Sequence, residues 1–196
     1  IPTCTMPHGL RMANDGLFVY SNCMMDDQLV EIDTRTFEVS RRFSVTTGSE
    51  AALLDYQVGE VVTGASGITK PLESLSNRTA TEPTCSPTWA QPTPDGHSIF
   101  VACNKSNEIL VIDRERWTLE RNISVPGGPY NLAISDDGKI LVASLKGAGK
   151  VQFFEASTGK SLGLVTSTTT VTHGVAISPD SRYAFVSMEG KGADPG

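Results

Sequence analysis

Four copies of one short pattern recur along the chain, and they constrain its fold more than any other feature. An aspartate followed by glycine or serine stands at Asp15-Gly16, Asp95-Gly96, Asp137-Gly138 and Asp180-Ser181, at spacings of 80, 42 and 43 residues. Short apolar runs flank each one. Leu10/Met12, Trp89, Leu132/Ile134 and Val175/Ile177 come before the turns; Phe18-Val19-Tyr20, Ile99-Phe100-Val101, Ile140-Leu141-Val142 and Tyr183-Ala184-Phe185-Val186 come after them. Asp-Gly between apolar runs marks a hairpin, because glycine takes the positive φ that the turn requires.

A third run ends on an acid at a fixed distance. Asp33, Asp113 and Glu155 each lie 18 residues beyond the aspartate of their turn, closing Leu29 to Ile32, Ile109 to Ile112 and Val151 to Phe154. A more polar fourth strand follows over 37–45, 117–125 and 161–166. No segment keeps a helical period over three turns. Four antiparallel strands in about 40 to 45 residues make one blade of a β-propeller, and packing on both faces accounts for apolar residues at successive positions. The expectation is an all-β propeller of about three and a half blades: 5–45, 84–126, 127–167 and an incomplete fourth over 168–196. Residues 46–83, rich in Gly, Ser and Thr, read as an insertion with one extra hairpin over Leu53 to Val62. A β-sandwich is the competing fold, but it has no need of the repeated 18-residue offset.

The pattern Pro-x-Gly/Asn-Leu/Val-Ala-x-Ser-x-Asp-Gly-x-x-Leu/Phe-Val, then Val-x-Asp, resembles the YVTN-type β-propeller repeats of surface-layer and periplasmic proteins. Pro129 to Gly138 and His173 to Asp180 carry it best. The resemblance covers nearly everything outside 46–83. It implies a propeller fold and leaves activity open, since propellers host unrelated functions. A chain starting at Ile1 and holding three and a half blades is expected to be a piece of a longer protein, or to find the missing half of its propeller in another chain.

The four cysteines form two pairs 19 and 18 residues apart. Cys23 and Cys103 share one repeat position, and Cys4 and Cys85 precede the first strands of the same two blades. Folding each hairpin about its turn brings these together, so disulfides Cys4–Cys23 and Cys85–Cys103 are expected. Disulfides persist in oxidising compartments, which points to a periplasmic, extracellular or cell-surface protein.

His8 and His173 also share a repeat position, each before a glycine at the mouth of an innermost strand. Met24 and Met188 stand near them across the hairpins. Imidazole with thioether is a copper-type ligand set, so His8, His173, Met24 and Met188 are the metal candidates; a polar rim residue closing the turn is the alternative. Asp26-Asp27 reads as solvated charge, lacking the ligand spacing of a calcium loop. His97, after a turn glycine, should be exposed.

No phosphate loop, nucleophile elbow, HExxH or CxxC is present. A net charge of -6 with no basic stripe argues against nucleic acid as a partner. No run of eighteen apolar residues is available to cross a membrane as a helix. The sequence therefore suggests a non-catalytic propeller scaffold or interaction module of a periplasmic or cell-surface assembly, partnered by other protein subunits. A copper-type oxidoreductase propeller is the alternative; a sugar- or lactone-processing propeller has no residue in its favour.

Overall fold

A computed structural model describes residues 1–53, 82–193 and 195–196. Among them are fifteen strands and no helix. The first sheet runs β1 (Pro7–Met12), β2 (Phe18–Cys23), β3 (Gln28–Asp33), β4 (Glu38–Ser44) and β5 (Ala51–Ala52). The second holds β6 (Pro87–Pro92), β7 (Ser98–Cys103), β8 (Glu108–Asp113) and β9 (Thr118–Ser124). The third holds β10 (Pro129–Ile134), β11 (Ile140–Leu145), β12 (Lys150–Glu155) and β13 (Ser161–Thr166). A two-stranded sheet, β14 (Thr172–Ile177) and β15 (Ala184–Met188), follows. Strands follow chain order and every pair is antiparallel. These are blades of a partial β-propeller.

The repeated residues have local causes. In the first hairpin the Gly16 N–H donates to Ala13 O at 2.9 Å, placing glycine fourth in the turn with φ of 70°. Gly96, Gly138 and Ser181 close the other three turns in the same way, with φ of 75°, 72° and 57°. The preceding aspartate accepts the N–H two residues on: Asp15 from Leu17, Asp95 from His97, Asp137 from Lys139, Asp180 from Arg182. The acid 18 residues later caps the next turn, Asp33 accepting from Arg35 N at 2.8 Å and Asp113 from Arg116 N at 2.7 Å. Both acids are turn devices of the kind Asp supplies well.

Alternation along each strand decides which neighbour a side chain meets. Ile99, Val101 and Cys103 of β7 pack with Tyr20, Leu29 and Phe43 of the first blade. Phe100 and Ala102, on the opposite face, pack with Leu132, Leu141 and Phe154 of the third. A smaller cluster joins Ala133, Val142 and Val151 to Val175 of the fourth. A middle blade thus buries both faces, as its consecutive apolar residues require.

The insertion needs a partial correction. Its first residues turn back as β5, pairing Phe43 with Ala52 and Ser44 with Ala51, so the first sheet gains a fifth strand. The hairpin expected over Leu53 to Val62 lies, beyond Leu53, outside the described residues. Both disulfides form as paired from the sequence, with Cα separations of 5.7 Å for Cys4–Cys23 and 4.5 Å for Cys85–Cys103.

Candidate functional site

The innermost strands of successive blades begin side by side, and their second residues line one mouth: His8, Thr88, Tyr130 and His173. The His8 Nδ1 lies 2.8 Å from Thr88 O. A carbonyl only accepts, so Nδ1 is the donor in this bond. Nε2 lies 2.9 Å from Tyr130 Oη, its hydrogen-bond partner. The His8 and Tyr130 rings meet edge to face at 5.3 Å, and the His173 ring lies 4.5 Å from Tyr130 on a tilt. Tyr130 therefore stands between the two histidines.

Lys146 and Glu189, each one residue past the second strand of its blade, flank this set; Met24 and Asn104 hold the equivalent positions in the first two blades. Lys146 Nζ sits 4.4 Å from the Tyr130 ring centroid and 2.7 Å from Glu189 Oε2. Glu189 Oε2 is in turn 3.9 Å from His173 Nε2. Lys146 holds the Glu189 carboxyl below its usual range, with the nearby His173 adding to the effect. Hydrogen bonds tie each blade to the next: His8 to Thr88, Thr88 Oγ1 to Tyr130 O at 2.7 Å, and Ser144 Oγ of β11 to His173 O at 2.5 Å.

The metal candidates are distributed differently from the ligand set that their spacing suggested. Both ring nitrogens of His8 face protein partners. A register shift between His8 and Leu10 places Asn22 opposite His8 and Cys23 opposite Pro7. Met188 pairs with Thr172 rather than His173, across the equivalent shift in the fourth blade. Met24 N–H donates to Met6 O. Among the described residues no three His, Cys, Asp or Glu side chains converge as a metal site. The shift arises at Gly9, where φ is 55° and a Cβ would stand 2.3 Å from Thr88 O.

Of the acidic doublet, Asp27 departs from the solvated-charge expectation, while Asp26 stays partly exposed. Asp26 Oδ2 accepts from Thr5 N at 2.7 Å. Asp27 is buried, and its carboxylate accepts from Thr84 N, Thr84 Oγ1, Cys85 N and Ser86 N at 2.6, 2.9, 3.2 and 2.8 Å. That nest of donors anchors the start of the second blade, including half of its disulfide, on the first. His97 is exposed, as expected, beside a cleft of about 380 Å³ also lined by Asp15, Arg41 and Arg114.

The interface between the first two blades hides a polar row that sequence reading missed. Ladder pairing aligns Arg11 with Tyr20, Tyr20 with Glu31, and Glu31 with Arg41. Tyr20 Oη donates to Glu31 Oε2 at 2.9 Å, while Arg41 binds the same carboxylate through Nε at 2.9 Å and Nη2 at 2.7 Å. Arg41 stacks on Trp117 at 4.0 Å. Burial first, then the adjoining Glu31 charge, pushes the Tyr20 phenol up. The signal was available in repeat arithmetic: the equivalent row in the third blade is Ala133, Val142, Phe153 and Gly163.

No family model and no curated protein sequence matches the chain. Many solved structures share its fold, 1178 chains among them. One is the hydrazine synthase of Kuenenia stuttgartiensis, matched at a TM-score of 0.67 and 18% identity over 96% of this chain. The chain spans 44% of that protein chain's length. At that identity the likeness bears on fold alone, and it supports the class already reached, a partial β-propeller. The two disulfides fit an oxidising environment.

Proposed function

We propose that this chain is a non-catalytic scaffold of the YVTN propeller type, working in a periplasmic or cell-surface assembly. It would engage protein partners by stacking blade on blade. The observation that carries this reading is an unequal burial of equivalent residues. The residue five before the turn aspartate packs on the preceding blade: Ala90, Leu132 and Val175 are all buried there, whereas Leu10 is 62% exposed. The residue five after it packs on the following blade: Tyr20, Phe100 and Val142 are buried, whereas Phe185 is 62% exposed. Met12 and Tyr183 add to these two faces.

Exposed apolar sheet faces of this kind mark interaction surfaces. Here each face is chemically what its opposite number packs against inside the molecule. The Phe185 face of one copy therefore suits the Leu10 face of another, or the equivalent face of further blades, in a head-to-tail contact. Sedimentation velocity over a concentration series tests this. The expected result is self-association of the chain that Leu10→Glu or Phe185→Glu abolishes. A chain that stays monomeric throughout, or associates equally well with both substitutions in place, would contradict the stacking role.

A further inference from the structure

Two guanidinium groups, Arg11 and Arg41, occupy the ends of the polar row between the first two blades, and only one carboxylate lies between them. Both oxygens of Glu31 are engaged by Arg41, and one also accepts from Tyr20. Arg114, which enters the same interface from the second blade, bonds Asp15 at 2.8 Å and packs its guanidinium 5.2 Å from the Phe18 ring. Arg11 is left over. Among the described residues it has no hydrogen bond and no ion pair, and its Nε is buried without an acceptor. Its guanidinium lies 5.1 Å from the Trp89 ring centroid, and the Trp89 Nε1 is likewise buried without an acceptor.

Strand alternation explains the placement. Leu10 and Met12 point to the open face of the first blade, so Arg11 points to the face packed on the second. It lies on the innermost strand, where that interface meets the channel. Burial lowers the pKa of Arg11, and no neighbouring carboxylate counters it. A half-buried arginine remains charged, so its electrostatic demand is for an anion. A guanidinium and an indole N–H supply donors only.

The geometry points to a binding site for a small oxyanion on the inner wall between the first and second blades, held by Arg11 against Trp89. Carboxylate, nitrate and phosphate share the chemistry that a guanidinium recognises through paired N–H donors. This site is separate from the stacking faces and does not depend on the scaffold reading. It also differs from the candidate metal set at the mouth, which invokes soft ligands and a cation.

Titration of the full chain with acetate, nitrate and inorganic phosphate, at ionic strength held constant with chloride, tests the inference. Intrinsic fluorescence reports on the site, because the chain has two tryptophans and one of them is Trp89. Equilibrium dialysis gives an independent readout. At least one oxyanion should bind saturably at one site, and the three arms show which. Arg11→Gln should weaken it about tenfold or more, as expected for hydrogen bonds to a charged group. Arg11→Lys, which keeps the charge and loses the fork, should weaken it by less. Arg35→Gln, removing an exposed arginine paired with Asp33, should leave it unchanged. Absence of saturable binding by the unaltered chain would overturn the proposal whatever the variants do. So would an affinity unchanged in Arg11→Lys, or one lost equally in Arg35→Gln.

Discussion

Phe100 and Phe185 hold the same place in their blades and the same amino acid, yet one is 1% and the other 62% exposed. Each sits in the second strand of a blade, five residues after a turn aspartate, although β7 has a third strand beside it and β15 pairs with β14 alone among the described residues. The difference is whether another blade lies over them. In this architecture the strand pattern is written for a neighbour on each side, and burial reports the neighbour rather than the strand. Core-type residues thus stand open on the first and fourth of these blades at positions that the second and third keep covered.

Substitutions at these pairs should separate the two settings, and the phenylalanines give the largest contrast. Phe100→Ala should cost about 3–5 kcal/mol of unfolding free energy, whereas Phe185→Ala in the dilute monomer should cost well under about 1 kcal/mol. Chemical denaturation measures both. Equal losses would mean that the fourth blade is covered in the monomer. Leu132→Ala and Leu10→Ala repeat the test at the opposite face, with about 2–5 kcal/mol expected for the first and little for the second.

The two disulfides should differ in the same way. Cys85 and Cys103 lie inside the cluster joining the first two blades, while Cys4–Cys23 belongs to a small cluster on the first blade's outer side, with Cys4 half-buried. Mild reductant followed by alkylation and mass spectrometry should open Cys4–Cys23 first. Each loop contributes roughly 3 kcal/mol in the chain-entropy picture, so the melting temperature should fall in two separate steps. Simultaneous reduction would show that the two blades do not shield the inner bridge.

Acid gives a smaller effect. The side-chain hydrogen bond from Ser135, then the Lys139 N–H, holds Asp137 at about 2, and Arg35 holds Asp33 at about 2. Hydroxyls of Thr93 and Ser178 lower Asp95 and Asp180 in the same way. Their folded pKa values lie below the unfolded one of about 3.9, so this stabilisation is full above it and drains away as pH falls towards 2. Thermal melts should be level down to about pH 4 and then decline. Ser135→Ala should raise the Asp137 pKa in an NMR titration; an unmoved value would refute the hydroxyl's role.

How much of this was readable from the chain follows from which contacts are periodic. Turn aspartates, the acids 18 residues on and the cysteine pairs recur at fixed offsets within a blade, so strands and disulfides could be placed by counting. Contacts between blades depend on how one sheet lies against the next. Thus Tyr130 standing between His8 and His173 was not countable, nor was Asp27 capping Thr84 to Ser86. Nor were the two register shifts, one at Gly9 and one between Thr172 and Val175, which put Asn22 opposite His8 and Met188 opposite Thr172. Arg11, Glu31 and Arg41 looked like ordinary strand charges until the ladder put them in one row.

Hydroxyl-radical footprinting of the dilute monomer, read residue by residue by mass spectrometry, compares the equivalent positions in one experiment. Leu10, Met12 and Phe185 should label rapidly, and Leu132, Tyr20 and Phe100 should be strongly protected. Comparable labelling within each equivalent set, or protection of Leu10 and Phe185 in the monomer, would contradict the stacked-blade arrangement.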